Sequence, residues 1–171
     1  MPINLKHAEV LLQQLRVLVV DDNPFMRTIV RGLLNNIGVK SVIEAGDGIA
    51  ALDKIHEETP DVVVLDWERP LLNGPELVRI VRSPGMFPTP DLPIIMLSAH
   101  GEQRRILETV KLGVNEFLCK PVSAKALFER LISILLKPRA SVQLGDYYGP
   151  APQVPALDPE ADAPDTEPPA A

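Results

Sequence analysis

Cysteine is nearly missing from this chain. Cys119 is the single one in 171 residues, so no internal disulfide can form and a reducing compartment is the natural setting. Aromatic residues make up only 4% of the sequence, which leaves the core to aliphatic side chains, a composition suited to parallel strands and amphipathic helices. No unbroken apolar run approaches the roughly 18 residues needed to span a bilayer, and the start lacks a basic region leading into an apolar one. Neither a membrane anchor nor a secretory signal is expected, and a cytoplasmic location is. Positive charge is absent from one end: all 17 Lys and Arg fall at or before Arg139, against 17 of the 23 acids, and the other 6 acids follow it. A neutral domain with an acidic tail has no basic footprint for nucleic acid or an anionic membrane. The three histidines, His7, His56 and His100, share no metal-ligand spacing.

What the chain does have is a series of short, strongly apolar runs. Val62-Val63-Val64-Leu65 is continuous rather than alternating, the pattern of a strand buried on both faces, and it ends in Asp66. Residues 16–20 form a second such run and end in Asp21-Asp22. Further strands are expected over 41–44, over 94–97 stopping at Ser98, and over 116–119 stopping at Lys120-Pro121. Helices are expected between them. Asn23 and Pro24 start one carrying Phe25, Ile29, Leu33 and Ile37 on one face up to Gly38. Others span 47–56, 74–81 with Leu77, Ile80 and Val81, and 102–112 with Ile106, Leu107 and Val110. Ser123 caps the last, with Leu127, Leu131, Ile134 and Leu135 inward. The proline-rich stretch 83–93 excludes regular structure. Alternation of five strands with five helices implies one parallel sheet with helices on both faces.

Three segments follow. Residues 1–15 are an extension, with a short helix from Asn4 carrying Leu5, Ala8, Leu12 and Leu15 on one stripe. Residues 16–139 are the domain. Residues 140–171, with 7 prolines and no Lys or Arg, are expected to be mostly disordered, with Tyr147 and Tyr148 packing back.

In a sheet of this kind ligands gather at the carboxyl ends of the strands. Four strand ends deliver Asp21-Asp22, Asp66, Ser98 and Lys120 to that edge. Carboxylates within about 5 Å repel by roughly 3 kcal/mol per pair at an effective dielectric near 20, and a divalent cation removes the repulsion. Oxygen ligands without His or Cys favour Mg²⁺ over Zn²⁺. Beside a cation that can also grip a phosphoryl group, Asp66 has the character of a nucleophile for phosphoryl transfer. The Lys120 ammonium, the Ser98 hydroxyl and the Ala99 N–H are placed to meet the phosphoryl oxygens.

At this point the chain resembles a known family, the receiver domain of two-component response regulators, and most closely its single-domain, CheY-like members. The motifs are Val19-Val20-Asp21-Asp22, Leu65-Asp66, Pro70 and Gly74, Ser98-Ala99, and Phe117 with Lys120-Pro121, spread over residues 16 to about 137. The resemblance implies a flavodoxin-like, five-stranded doubly wound fold with strand order 2-1-3-4-5. It implies that Asp66 takes a phosphoryl group from a histidine kinase or histidine phosphotransfer protein. It further implies Mg²⁺ held directly by Asp22 and Asp66, by Asp21 through water, and by the backbone carbonyl of Glu68. Lys120 would pair with the phosphoryl oxygens across a cis Lys120-Pro121 bond. Ser98 and Phe117 would act as the switch, reshaping a partner-docking face over 102–130. Arg69, Glu68 and His100 stand at positions that vary within the family. The 32 residues after Arg139 are too few for a DNA-binding or enzymatic output domain, so a receiver acting by docking is expected, catalysing only its own phosphorylation and dephosphorylation. Two other readings stay open: a Mg²⁺-dependent phosphohydrolase with an aspartyl-phosphate intermediate, and a receiver-like adaptor that never takes phosphate.

Overall fold

The computed structural model describes residues 4–67, 74–85, 87, 89–99 and 103–151. Five strands, β1 (Arg16–Val20), β2 (Ser41–Ala45), β3 (Val62–Asp66), β4 (Ile94–Ser98) and β5 (Glu116–Cys119), form one parallel sheet in the order β2-β1-β3-β4-β5. The order follows the apolar pattern. The continuous runs of β1, β3 and β4 take the centre, where both faces are covered, and the half-buried β2 and β5 take the edges.

Because side chains alternate along a strand, the sheet feeds two separate cores. On one face Val17, Val19, Val62, Val64, Ile95 and Leu97 pack against Val30 and Leu34 of α2 (Pro24–Asn36) and Leu127, Leu131 and Ile132 of α6 (Ala124–Leu136). The amino-terminal helix α1 (Leu5–Gln14), capped by the Asn4 side chain, adds Ala8 and Leu12 to that layer. On the other face Leu18, Val20, Val63, Leu65, Ile94 and Met96 meet Ala51 and Ile55 of α3 (Gly48–Glu58) and Leu77, Val78 and Val81 of α4 (Gly74–Val81). Leu112 at the end of α5 (Gln103–Leu112) packs there too. Among the described residues no helix is long and apolar enough to cross a membrane.

Several inward faces differ from the expected ones. In α2 the buried residues are Val30 and Leu34, with Leu33 and Ile37 at the margin, while Phe25 is 70% and Ile29 40% exposed. Apolar residues surround this helix on several sides, so spacing alone does not say which side meets the sheet. The same rotation puts Val78 rather than Ile80 inward on α4 and Ile132 inward on α6, and leaves Leu5 and Leu107 exposed.

The expectation of disorder from residue 140 onward is corrected for its first part. Strands β6 (Ser141–Leu144) and β7 (Tyr147–Pro150) pair antiparallel around Gly145-Asp146, with Gly145 at φ 60°, the backbone a two-residue hairpin turn requires at its first position. The hairpin folds because the domain gives it anchors. Tyr148 Oη donates to Asp91 Oδ1 at 2.6 Å. Arg139 donates to the carbonyls of Ala151 and Asn115 at 3.0 and 2.6 Å. The tyrosines do pack back as expected. Residues 152–171 lie outside the described residues, as do Glu68, Arg69, Pro70, His100 and Glu102.

Candidate functional site

Strand register sets the site. Val20 lies opposite both Ala45 and Leu65, so the residues that follow it reach the carboxyl edge level with Asp66. Asp66 in turn pairs with Leu97, and Ser98 with Cys119, one step before Lys120. The ladder continues past the strand ends: the Trp67 N–H donates to Leu97 O at 2.8 Å and the Lys120 N–H to Ser98 O at 2.7 Å. The loop after β3 returns to the same spot, where Gly74 sits against the Asp66 and Trp67 backbone. A Cβ at position 74 would lie 3.0 Å from the Asp66 carbonyl oxygen, tighter than nine in ten real Cβ contacts.

Carboxylate oxygens of Asp21, Asp22 and Asp66 lie within 4.8 Å of one another. Asp21 and Asp66 are buried, at 3% and 7% exposed, and Asp22 is open to solvent. Lys120 Nζ is 2.9 Å from Asp66 Oδ1 and 3.9 Å from Asp21 Oδ2. The Lys120-Pro121 bond is cis. Burial pushes the Asp21 carboxyl above its ordinary value. The Asn23 N–H, at 2.9 Å from Asp21 Oδ1, pulls it down, Asp66 and Asp22 push it up, and Lys120 pulls it down. Three acids against one lysine leave the cluster at a formal charge of −2, and at 4.8 Å or less each pair of carboxylate oxygens repels by about 3 kcal/mol at an effective dielectric near 20. Such a set of oxygen donors, short of positive charge, can hold a metal ion, and its chemistry fits a hard divalent cation.

Of the residues singled out from the sequence, Asp21, Asp22, Asp66 and Lys120 come together. Ser98 is buried at the end of β4 on the same edge, with Ala99 exposed beside it. Phe117 stands opposite Met96 on β5, half-buried against the second core. Glu68 lies outside the described residues. One residue next to the acids went unnoticed: Arg27 of α2 donates to the backbone carbonyl of Asp21 at 2.7 Å. Nothing in the local sequence separates it from Arg31, one turn further on.

A doubly wound parallel sheet with buried acids and a lysine meeting at its carboxyl edge defines a class of α/β domain built to bind a charged ligand at that edge. Within that class the chain belongs to the response regulator receiver domain family, whose model matches residues 17–132. Chemotaxis protein CheY1 of Helicobacter pylori is 35% identical over 122 residues, covering 71% of this chain and 97% of that protein. Chemotaxis protein CheY of Pseudomonas aeruginosa is 35% identical over 120 residues, covering 70% and 95%. Among solved structures, the Francisella response regulator 1452 receiver domain aligns with a TM-score of 0.63 at 32% identity, over 72% of this chain and 98% of that one. This is a CheY-like receiver of two-component signalling, a signal transducer in a family whose general mechanism is phosphorylation on aspartate. Helix α1 and the β6–β7 hairpin lie outside the residues the family model matches.

Proposed function

We propose that Asp66 is the phosphoacceptor and that Mg²⁺ is the cation of the acid cluster. The observation that carries this reading is the 2.9 Å contact of Lys120 Nζ with Asp66 Oδ1, beside two further acids within 4.8 Å. Asp22 and Asp66 would hold Mg²⁺ directly and Asp21 through water, with the Glu68 carbonyl completing the set. Bound there, the ion supplies charge neutralisation for phosphoryl oxygens.

The protein's own groups do the rest. An Asp66 carboxylate oxygen attacks the phosphorus of a phosphohistidine. The P–O bond forms as the P–N bond breaks, and the electron pair leaves with the histidine nitrogen, which takes up a proton. Lys120 holds its ammonium against the transferred oxygens, and the Ser98 hydroxyl and Ala99 N–H meet another. Asp66 then no longer presents a bare carboxylate to Lys120, and that local charge change is the signal. Ser98 and Phe117 transmit it to the face over 102–130, where a downstream protein docks in one state and not the other. The phosphodonor is a histidine kinase or histidine phosphotransfer protein. The receiver catalyses its own phosphorylation and dephosphorylation only, in the cytoplasm.

Trp67, the only tryptophan, adjoins Asp66 and reports on the site. Mg²⁺ followed by beryllofluoride should change its fluorescence stepwise, and Asp66→Asn should lose the beryllofluoride step. A flat response to both in folded protein would refute the reading. Partner binding that is indifferent to Asp66→Ala would favour the phosphate-independent adaptor.

A further inference from the structure

The turn that carries Asp21 and Asp22 is gripped from outside the acid cluster. Arg27, one turn into α2, donates from Nη1 to the Asp21 carbonyl at 2.7 Å, and its Nε lies 3.4 Å from Glu44 Oε1 on β2. The other oxygen of Glu44 is held by Arg31 at 3.3 Å, and Arg31 also donates to the Val42 carbonyl at 2.9 Å. The Asp21 N–H meanwhile donates to the Ala45 carbonyl at 3.1 Å. Both backbone groups of Asp21 are therefore tied, one to β2 itself and one through an arginine that β2 holds in place.

This is more than a surface ion pair. The Arg27 side chain is only 20% exposed, and its buried Nε is within ion-pair distance of Glu44 yet makes no hydrogen bond. The guanidinium is thus posed for its other contact rather than for a well-aligned bond to Glu44. What it gains is the Asp21 carbonyl. That oxygen shares a rigid peptide plane with the nitrogen and Cα of Asp22, so holding it fixes where the Asp22 Cα sits and the N–Cα axis about which its side chain turns.

We propose that Arg27 is a positioning residue for the cation site, fixing the Asp21-Asp22 peptide so that Asp22 faces Asp66, with Glu44 as its support. The inference rests on the cation reading given above and adds a residue to it. The test is a Mg²⁺ titration followed by Trp67 fluorescence, with urea unfolding of each variant in the absence of Mg²⁺ as a separate readout. Charge and position act with opposite signs. Removing a positive charge beside a cation site tightens binding, whereas loosening the turn weakens it. Arg27→Gln should weaken Mg²⁺ binding by roughly 10-fold, the low end for groups that orient metal ligands. Arg27→Lys keeps the charge with a shorter reach to the Asp21 carbonyl and should recover part of the affinity. Arg31→Gln removes the same charge from Glu44 without touching Asp21 and should leave Mg²⁺ binding unchanged or slightly tighter. Mg²⁺ binding by Arg27→Gln as tight as in the unaltered protein, or tighter, overturns the inference and leaves the cation reading standing. If Arg27→Gln does not fold, Arg27→Lys decides, because wild-type affinity at preserved charge also overturns it. Absence of Mg²⁺ binding in the unaltered protein overturns both readings.

Discussion

Arg82→Met would test what holds the end of the domain away from the site. Arg82 follows α4 and is 5% exposed, yet among the described residues no carboxylate contacts its guanidinium. It donates instead to four neutral oxygens: Gly113 O at 2.9 Å, Pro90 O at 2.7 Å, Leu92 O at 2.6 Å and Asn115 Oδ1 at 2.9 Å. One side chain thus ties the proline-rich loop to the α5–β5 turn and to the amino ends of β4 and β5. Burial draws the guanidinium down to about 10, still charged near neutrality. Hydrogen bonds from a charged donor contribute about 1.5 to 3 kcal/mol each, and the cost of burying the cation, several kcal/mol, offsets much of the sum. Methionine fills similar space but takes the Arg82 donors from all four acceptors, of which Asn115 Oδ1 keeps the Ile94 N–H at 3.0 Å, for a net loss of about 3 to 4 kcal/mol out of a typical 5 to 15. With a urea slope near 2 kcal/mol/M, the unfolding midpoint should fall by about 1.5 to 2 M when followed by far-ultraviolet circular dichroism. Arg82→Lys should fall between, since an ammonium has three donors and no planar fork. Because Arg82 sits at the amino edge of the sheet, the Trp67 response to Mg²⁺ should persist in the folded variant. A midpoint shift under about 0.5 M would refute the reasoning, showing that the desolvation of the cation consumes what its bonds return.

Asp21→Asn should stabilise the Mg²⁺-free protein by about 1 to 2 kcal/mol by removing a charge that is buried and that repels Asp66, and should weaken Mg²⁺ binding. A lower melting temperature in Mg²⁺-free buffer would contradict it. The pH dependence has a definite sign. The folded-state pKa of Asp21 is raised, so the folded protein holds this proton more tightly, and stability from this group falls as pH rises from its ordinary value of 3.8 through the raised one. Asp21→Asn should remove that component from the acid limb, visible in urea midpoints measured across it. Gly74→Ala should lower the urea midpoint and shift Trp67 emission, since its Cβ would press on the backbone of both Asp66 and Trp67; an unchanged spectrum would count against that contact. Tyr148 is pushed above its ordinary value of 10.0, chiefly by its hydrogen bond to Asp91. Asp91→Asn should return one of the two tyrosines toward that value in an ultraviolet titration, and two unmoved tyrosines would mean that the hairpin is not anchored there.

The candidate site was legible because each of its residues ends a run of apolar side chains, and the run marks a buried strand wherever it occurs. Asp21, Asp66, Ser98 and Lys120 can be picked out one strand at a time, and a parallel sheet necessarily brings such ends to one edge. Helix faces were harder. In α2 apolar residues on several sides left Phe25 and Val30 indistinguishable until the sheet took one of them. The hairpin had a local signal, Gly145-Asp146 between short apolar runs, but two strands of four residues do not fold unaided, and composition argued for disorder. Its anchors, Asp91 and Arg139, approach it only once the domain has formed. Arg27 and Arg82 are of the same kind: their roles depend on backbone carbonyls, which every residue has and which only the tertiary structure aims at a particular side chain. Which strands are buried and which residues end them were therefore written locally in the chain, because burial needs only apolar side chains in a row. What holds those strand ends in place was decided by contacts between segments distant in sequence, and no local pattern encodes them.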